Sequence, residues 1–458
     1  MARWFDSVLS VIGGTPLIRL QRIPAAEGVR ANMLVKFEAM NPGGSIKDRI
    51  AVAMVREAER TGALVPGGTI IEATAGNTGV GLAMAAAVKG YRMIFVIPDK
   101  MSAEKINLLK AFGAEVVITP TNVPPDSPES YHGVADRLAR EIPHAFRPDQ
   151  FANQANPDAH YFTTGPEIWN DTDGAVDVLV AGMGTGGTIS GAGRFLKERK
   201  PSVTVVGADP AGSVLSGDAP RSYKVEGVGE DFVPRTFNRQ VVDEMIRVTD
   251  AESFAMARRL AREEGILAGG SSGMAVAAAL VYARRLAREQ CIVVVLPDTG
   301  RNYLSKIYDD DWMRANGFLP EVPLPRMLLS DLVSRKQDMP LLIAIRPDAT
   351  LAAAVELMER YGISQVPVIH DGRQLGALTE TAVIKAVREH PRSAADPVSV
   401  HMTEPLPERE ETVDAAEAYR LLLAGRSGIL VLREGTPLAV LTGADLIRSF
   451  VGERKEIV

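Results

Sequence analysis

The stretch "PGGSIKDR" (42–49) sets two glycines and a serine before a lysine at the head of a helical pattern. Ser45 suits the N-cap of that helix and Gly62 its C-terminal stop. Lys47 then falls in the first turn, where the helix dipole disfavours a cation by about 0.3–1 kcal/mol. The same field lowers the ammonium pKa and favours the neutral amine, which serves carbonyl chemistry as nucleophile and as base. An isolated lysine here would read as a tolerated surface charge. The flanking glycines argue otherwise, because they let something bulky approach the backbone.

Outward from this loop, residues 1–318 alternate short β-branched runs with longer helical patterns. The runs at 33–40, 68–74, 92–98, 114–120, 176–182, 203–209 and 291–297 read as buried strands. Amphipathic or Ala-rich helices lie between most of them. This alternation predicts a mostly parallel sheet covered on both faces, with ligands at the carboxyl ends of its strands.

Three glycine-bearing loops sit at such ends. "TAGNTG" (74–79) precedes a helix, and its free N–H groups with the Thr74 and Thr78 hydroxyls suit a small carboxylate. "GMGTGGTISGAG" (182–193) suits a phosphate monoester at a helix start. Through Gly182, Gly184 and Gly187, with Asp209 at 22 residues from Gly187, it also imitates a dinucleotide fingerprint. "AGGSSG" (268–273) offers two serines before another helix. Together the loops supply a lysine, a carboxylate cradle, a phosphate cradle and a neutral hydroxyl. That is an inventory for pyridoxal phosphate and an amino acid, whereas a dinucleotide enzyme would not need the lysine loop.

The pattern breaks at "GFLPEVPLPRM" (317–327), where three prolines in six residues read as a linker. An internal repeat follows, "VPVIHDGRQLGALTETAV" (366–383) matching "ILVLREGTPLAVLTGADL" (429–446) at an offset of 63 residues. Each copy reads as two strands around a turn (Asp371-Gly372, Glu434-Gly435) and then a helix. Two such small units are expected to pack as a pseudo-symmetric pair. The organisation is thus a core at 1–318, a linker at 319–327 and repeats at 328–390 and 391–458.

Composition excludes several classes. Hydrophobic residues make up 46% and charged residues 24%, and the net charge is −6 without any Lys/Arg-rich run. Nucleic acid and membrane are therefore not expected as partners. The single cysteine, Cys291, allows no disulfide framework and no cysteine-based metal site. No signal peptide is legible at the start, and a cytoplasmic protein is expected.

Residues 5–318 resemble the β-family of pyridoxal-phosphate enzymes, in particular its cystathionine β-synthase and cysteine synthase branches. The matching motifs are "IGGTPLIRL", "NPGGSIKDR", "EATAGNTG", "NPDAHYFTTGPEIW", "GMGTGGT", "VEGVGEDF" and "LPDTGRNYLSK". The C-terminal repeat looks like a pair of the regulatory modules called CBS domains, an arrangement typical of the cystathionine β-synthase branch. The resemblance implies fold type II: an α/β core of two open, mostly parallel sheets covered by helices, followed by the tandem CBS pair.

It also implies roles. Lys47 looks like the Schiff-base lysine. Asn77 would bond the cofactor's ring hydroxyl, Gly184, Thr185, Gly186, Gly187 and Thr188 its phosphate, and Ser271 its pyridine nitrogen. Thr74, Ala75, Gly76, Thr78 and Gln150 would hold the substrate carboxylate, and Gly227 to Glu230, with Gly229 among them, resembles the loop near the second substrate. The implied reaction condenses L-serine, or an activated serine, with L-homocysteine. Ala75 and Phe151 stand where serine and tyrosine are common in that branch, which keeps O-acetylserine and sulfide, the cysteine synthase pair, as the alternative. A third reading, a nucleotide sensor with a spent catalytic core, is opposed by the intact Lys47 and loops. No cysteine precedes 291, so no haem is expected. In the tail, Thr442 and Asp445 of "LTGADL" share one helical turn and would take an adenosyl effector, while "LTETAV" keeps Thr379 but has Ala382 in place of the acid. A homodimer or higher homo-oligomer is expected.

Overall fold

The computed structural model describes residues 4–74, 76–124, 127–320, 327–336, 340–390 and 392–453. The chain divides after Pro320 into two compact units. Most of the proline-rich linker, residues 321–326, lies outside the described residues.

Among the described residues the first unit holds ten strands: β1 (Leu17–Arg19), β2 (Asn32–Phe37), β3 (Thr69–Glu72), β4 (Arg92–Pro98), β5 (Glu115–Thr119), β6 (Ala145–Phe146), β7 (Val176–Gly182), β8 (Thr204–Pro210), β9 (Glu244–Val248) and β10 (Cys291–Leu296). They form two sheets, ordered β1-β2-β10-β7-β8-β9 and β5-β4-β3-β6. Every pairing is parallel except β1 with β2. All six residues of β10 are buried, as a strand covered on both faces requires. The sequence reading missed β1, β6 and β9. The first two are three and two residues long, and β9 ("EMIRV") interleaves charges that mask its apolar residues.

Helices cover the sheets and present their N-termini at the strand ends. α1 (Lys47–Thr61) buries Ile50, Ala51, Met54, Val55 and Ala58, one helical stripe, and stops at Gly62, whose φ of +77° is left-handed. α2 (Asn77–Lys89) packs closely on α1: a Cβ on Gly81 would stand 2.8 Å from that of Ala51. α3 (Gly187–Arg199) follows β7, and α4 (Gly270–Ala283) precedes β10.

In the second unit β11 (Gln365–His370) pairs with β12 (Arg373–Thr379), and the short β13 (Glu408–Glu410) pairs with β14 (Ile429–Arg433), which pairs in turn with β15 (Thr436–Leu441). Both hairpins turn on residues of positive φ, Asp371-Gly372 and Glu434-Gly435, the geometry that matches strand twist in two-residue loops. Helices Glu380–Glu389 and Gly443–Glu453 follow them. The cores cross the 390/391 boundary. Leu329, Leu332 and Val333 pack with Ala415, Ile429 and Leu441. Val398 packs with Leu351, Val366 and Leu378. Ala377, Leu406, Leu430 and Val440 form a small cluster shared by the two halves.

Candidate active site

The lysine loop is laced to the segment after β10. The Ile46 N–H donates to the Pro297 carbonyl at 2.8 Å and Thr299 N–H to the Gly44 carbonyl at 3.0 Å. Ser45 is not the N-cap expected from the sequence. Ile46 holds that position without a side-chain cap, because Ser45 is drawn into a bridge with Asp298 and its hydroxyl accepts only the Lys47 N–H, at 3.2 Å. Lys47 therefore opens α1. Its amine is held below the ordinary lysine range, first by burial; Asp298 and then Glu230 pull the other way. The direction matches the sequence reading, and desolvation is the leading cause.

Lys47 faces a cavity of about 190 Å³. Asn77, Thr185 and Ser271, expected at the cofactor, line it, as do Thr74, Gly76, Thr78 and Gln150, expected at the substrate carboxylate. Gly227 and Gly229 close it with Glu230. Gly184, Gly186 and Thr188 line a narrow extension of about 20 Å³ that also touches Lys47, and Gly187 starts α3 behind it. Ala75 lies outside the described residues.

The loop before α3 turns on Gly186, at φ +76°. Asn156 Nδ2 donates to Thr185 Oγ1 at 3.1 Å, and His160 Nε2 meets Thr188 Oγ1 at 3.2 Å. A Cβ on Gly187 would overlap the Asn156 amide oxygen, so only glycine admits this approach. Thr236 Oγ1 donates to the Thr185 carbonyl at 2.6 Å. His160 is fully enclosed, and burial, with Arg49 and Lys47 nearby, holds it well below the usual histidine range, hence neutral.

On the other side Thr74 Oγ1 accepts the Gly76 N–H at 3.2 Å, and Thr78 Oγ1 donates to Gln150 Oε1 at 2.6 Å. Asn77 donates to Asp298 Oδ2 at 2.8 Å and accepts from Asn302 at 3.3 Å, while Tyr303 Oη donates to the same Asp298 oxygen at 2.7 Å. Asp298 Oδ1 is buried without a hydrogen-bond partner among the described residues.

These groups fit pyridoxal phosphate. The start of α3, with the Thr185 and Thr188 hydroxyls, makes a cradle for a phosphate monoester. A Cβ on Gly76 would meet only Thr74 Oγ1, at 3.7 Å, so the loop opens onto free space in the cavity that Lys47 also lines. The sequence pattern of the family described as pyridoxal-phosphate dependent enzyme matches residues 8–298.

The chain belongs to the pyridoxal-phosphate-dependent enzymes. A CBS domain pattern matches residues 339–389 of the same enzyme. The chain is 40% identical over 458 residues to a cystathionine β-synthase of Dictyostelium discoideum, covering 96% of this chain and 91% of that one. It is 46% identical over 305 residues to a cysteine synthase of Staphylococcus aureus, covering 66% of this chain and 96% of that one. A solved hydrogen sulfide-producing enzyme from Fusobacterium nucleatum superimposes with a TM-score of 0.62 at 38% identity, covering 66% of this chain and 98% of that one. No helix among the described residues is long and apolar enough to cross a membrane.

Asn156, His160, Asp298 and Tyr303 are among the residues of this pyridoxal-phosphate-dependent enzyme's site that had no role in the sequence reading. All lie inside quoted motifs, "NPDAHYFTTGPEIW" and "LPDTGRNYLSK". Polar residues amid buried stretches were the available signal.

In the second unit Asp445 Oδ2 accepts from Thr442 N at 2.8 Å and Thr442 Oγ1 at 2.9 Å, an N-terminal cap, and Lys336 stands 3.7 Å from it. Thr442 lines a cavity of about 340 Å³ together with Lys336, Ser364 and Gln365. In the first repeat Thr379 Oγ1 caps its helix through Ala382 N at 3.2 Å.

Proposed function

We propose that this enzyme catalyses β-replacement, condensing L-serine or an activated serine with L-homocysteine to L-cystathionine. The observation that carries the reading is the convergence, on one cavity, of a lysine held toward its neutral form, a phosphate cradle and a carboxylate cradle. Identity to a cystathionine β-synthase along nearly the whole chain supports it. Bound there, pyridoxal phosphate supplies an electron sink for negative charge developing at the substrate Cα.

The chain's own groups do the rest. Lys47 Nζ would hold the cofactor, and as a free amine, the form its burial favours, it would take the proton from the substrate Cα. Thr74 and Thr78, the latter oriented by Gln150, grip the substrate carboxylate. Asn77, braced by Asp298, is placed for the ring hydroxyl. Ser271 would meet the ring nitrogen with a neutral hydroxyl, which would leave that nitrogen unprotonated and favour prompt loss of the β-group. Gly184 to Thr188 anchor the phosphate.

A second reading, cysteine formation from O-acetylserine and sulfide, is favoured by one feature: Phe151 in the cavity wall has no hydroxyl to assist a poor leaving group. Assays crossing serine and O-acetylserine with homocysteine and sulfide decide between them. Lys47→Ala should abolish the visible absorbance of the holoenzyme and lower turnover by about a thousandfold or more. A variant as yellow and active as the parent would overturn the role of Lys47.

For the second unit we propose an adenosyl effector at the Thr442 and Asp445 turn. Gln365, 4% exposed, supports this with an Oε1 that has no partner among the described residues, in the cavity Thr442 lines. Titration calorimetry with S-adenosylmethionine and with adenine nucleotides should show binding that Asp445→Ala abolishes. The proposal extends to a cytoplasmic homodimer or higher homo-oligomer; sedimentation gives its mass.

A further inference from the structure

Three carboxylates line the cavity beside Lys47: Glu226, Asp298 and Glu230. Two are committed. Glu226 bridges Lys105, at 2.9 Å, and Lys306. Asp298 holds Asn77 and Tyr303. The Glu230 carboxylate forms no hydrogen bond or ion pair with any described residue, and it lies half-buried in the cavity wall.

Its backbone is pinned. Glu230 N donates to Ser213 Oγ at 3.1 Å, its carbonyl accepts Val214 N at 2.9 Å, and the preceding Gly229 N donates to the Met183 carbonyl at 2.6 Å. A Cβ on Gly229 would run into Pro210 and the Tyr223 hydroxyl, so the approach to Glu230 allows no other residue there. The side chain is thus presented to the cavity from a fixed base.

The β-replacement reading, on which this inference rests, leaves the second substrate's own charges, its carboxylate and its ammonium, without a partner. The first substrate's carboxylate goes to the Thr74–Thr78 loop and its amine to the cofactor carbon. A second substrate that is itself an amino acid brings a further ammonium, which must leave water to bring its thiol to the β-carbon. Sulfide brings none. We propose that Glu230 accepts that ammonium and so selects an amino-acid thiol over sulfide. The Phe151 ring in the same wall offers apolar surface to the thiol's methylenes.

The test uses the holoenzyme with one β-substrate and three thiols: homocysteine, its des-amino analogue 4-mercaptobutyrate, and sulfide. Glu230→Gln should lower kcat/KM for homocysteine at least about tenfold more than it lowers that for sulfide. On the unaltered enzyme 4-mercaptobutyrate should be at least about tenfold poorer than homocysteine, and Glu230→Gln should not worsen it further. Equal losses with homocysteine and sulfide, or no loss with either, would overturn the assignment. So would parity of homocysteine and 4-mercaptobutyrate on the unaltered enzyme, a readout needing no variant to fold. No product from any thiol with either serine would instead overturn the β-replacement reading beneath it.

Discussion

Lys47 and Glu230 share one cavity, and each is pushed toward its neutral form by burial. Glu230 is pushed up to about 7, first by desolvation and then by Asp231, with Asp209 adding to it and Lys47 opposing. Tyr131 and Tyr223, whose hydroxyls also feel Glu230, are themselves raised and stay uncharged near neutrality. A carboxyl with a raised pKa is neutral below that value and anionic above it. If Glu230 binds an ammonium, kcat/KM for homocysteine should climb as pH rises through about 7 and then level. Lys47 and the two thiols titrate as well, each thiol over its own range, so the quantity to follow is the ratio of parent to Glu230→Gln activity with homocysteine. That ratio should rise through neutrality, because only the parent gains an anion there. At this scale the sequence was legible where chemistry is local. Lys47, Thr185 and Ser271 stand beside glycines that mark loops. Asp298 was not legible, because its partner Asn77 lies 221 residues away.

The helix Ala155–Ala159 continues into a wider turn, His160–Thr164, and puts Asn156 and His160 one turn apart behind the phosphate loop. Neither lines the cavity. They fix the hydroxyls of Thr185 and Thr188, which are expected to meet the phosphate. His160→Ala should weaken cofactor binding by about tenfold, the worth of one freed donor, with a smaller change in kcat once saturated. His160→Gln, which keeps a polar atom near Thr188, should recover part of the loss. Fluorescence titration of the apoenzyme and the phosphorus resonance of the bound cofactor read the effect directly. An unchanged resonance would mean that His160 serves packing alone. The strands β4, β7 and β10 were plain in the sequence because burial on both faces makes them continuous apolar runs. The Ser45 cap was misplaced because its loop spends its hydrogen bonds on the β10 segment, a tertiary demand that overrides local capping preference.

At the scale of the molecule, each unit carries its own core. The clusters around Val35 and Val294, Ile50 and Leu82, and Leu179 and Leu196 all lie within residues 1–320. Those around Ala418 and Val366 lie within the second unit. A chain ending at Pro320 should therefore fold, keep its cofactor and retain β-replacement, while any response to an adenosyl ligand disappears. Thermal unfolding and steady-state assays with and without S-adenosylmethionine check this; a truncated chain that aggregates would show that the first core depends on the second unit.

Period, capping and turn chemistry act over a few residues. The sequence alone therefore determined the alternating α/β core, the glycine loops at its strand ends and the two hairpins of the repeat. It also carried the lysine whose place in a first turn, behind two glycines, argued against a mere surface charge. Only the tertiary structure decided which distant groups meet: Asn156 with Thr185, His160 with Thr188, Asp298 with Asn77, and a Glu230 left without a partner in the cavity. It also decided that Leu329 packs beside Ala415, and Val398 beside Leu351, across the boundary drawn between the repeats. Such contacts follow from which faces fit together when apolar surface is buried, and close packing is satisfied in space with no regard to separation along the chain.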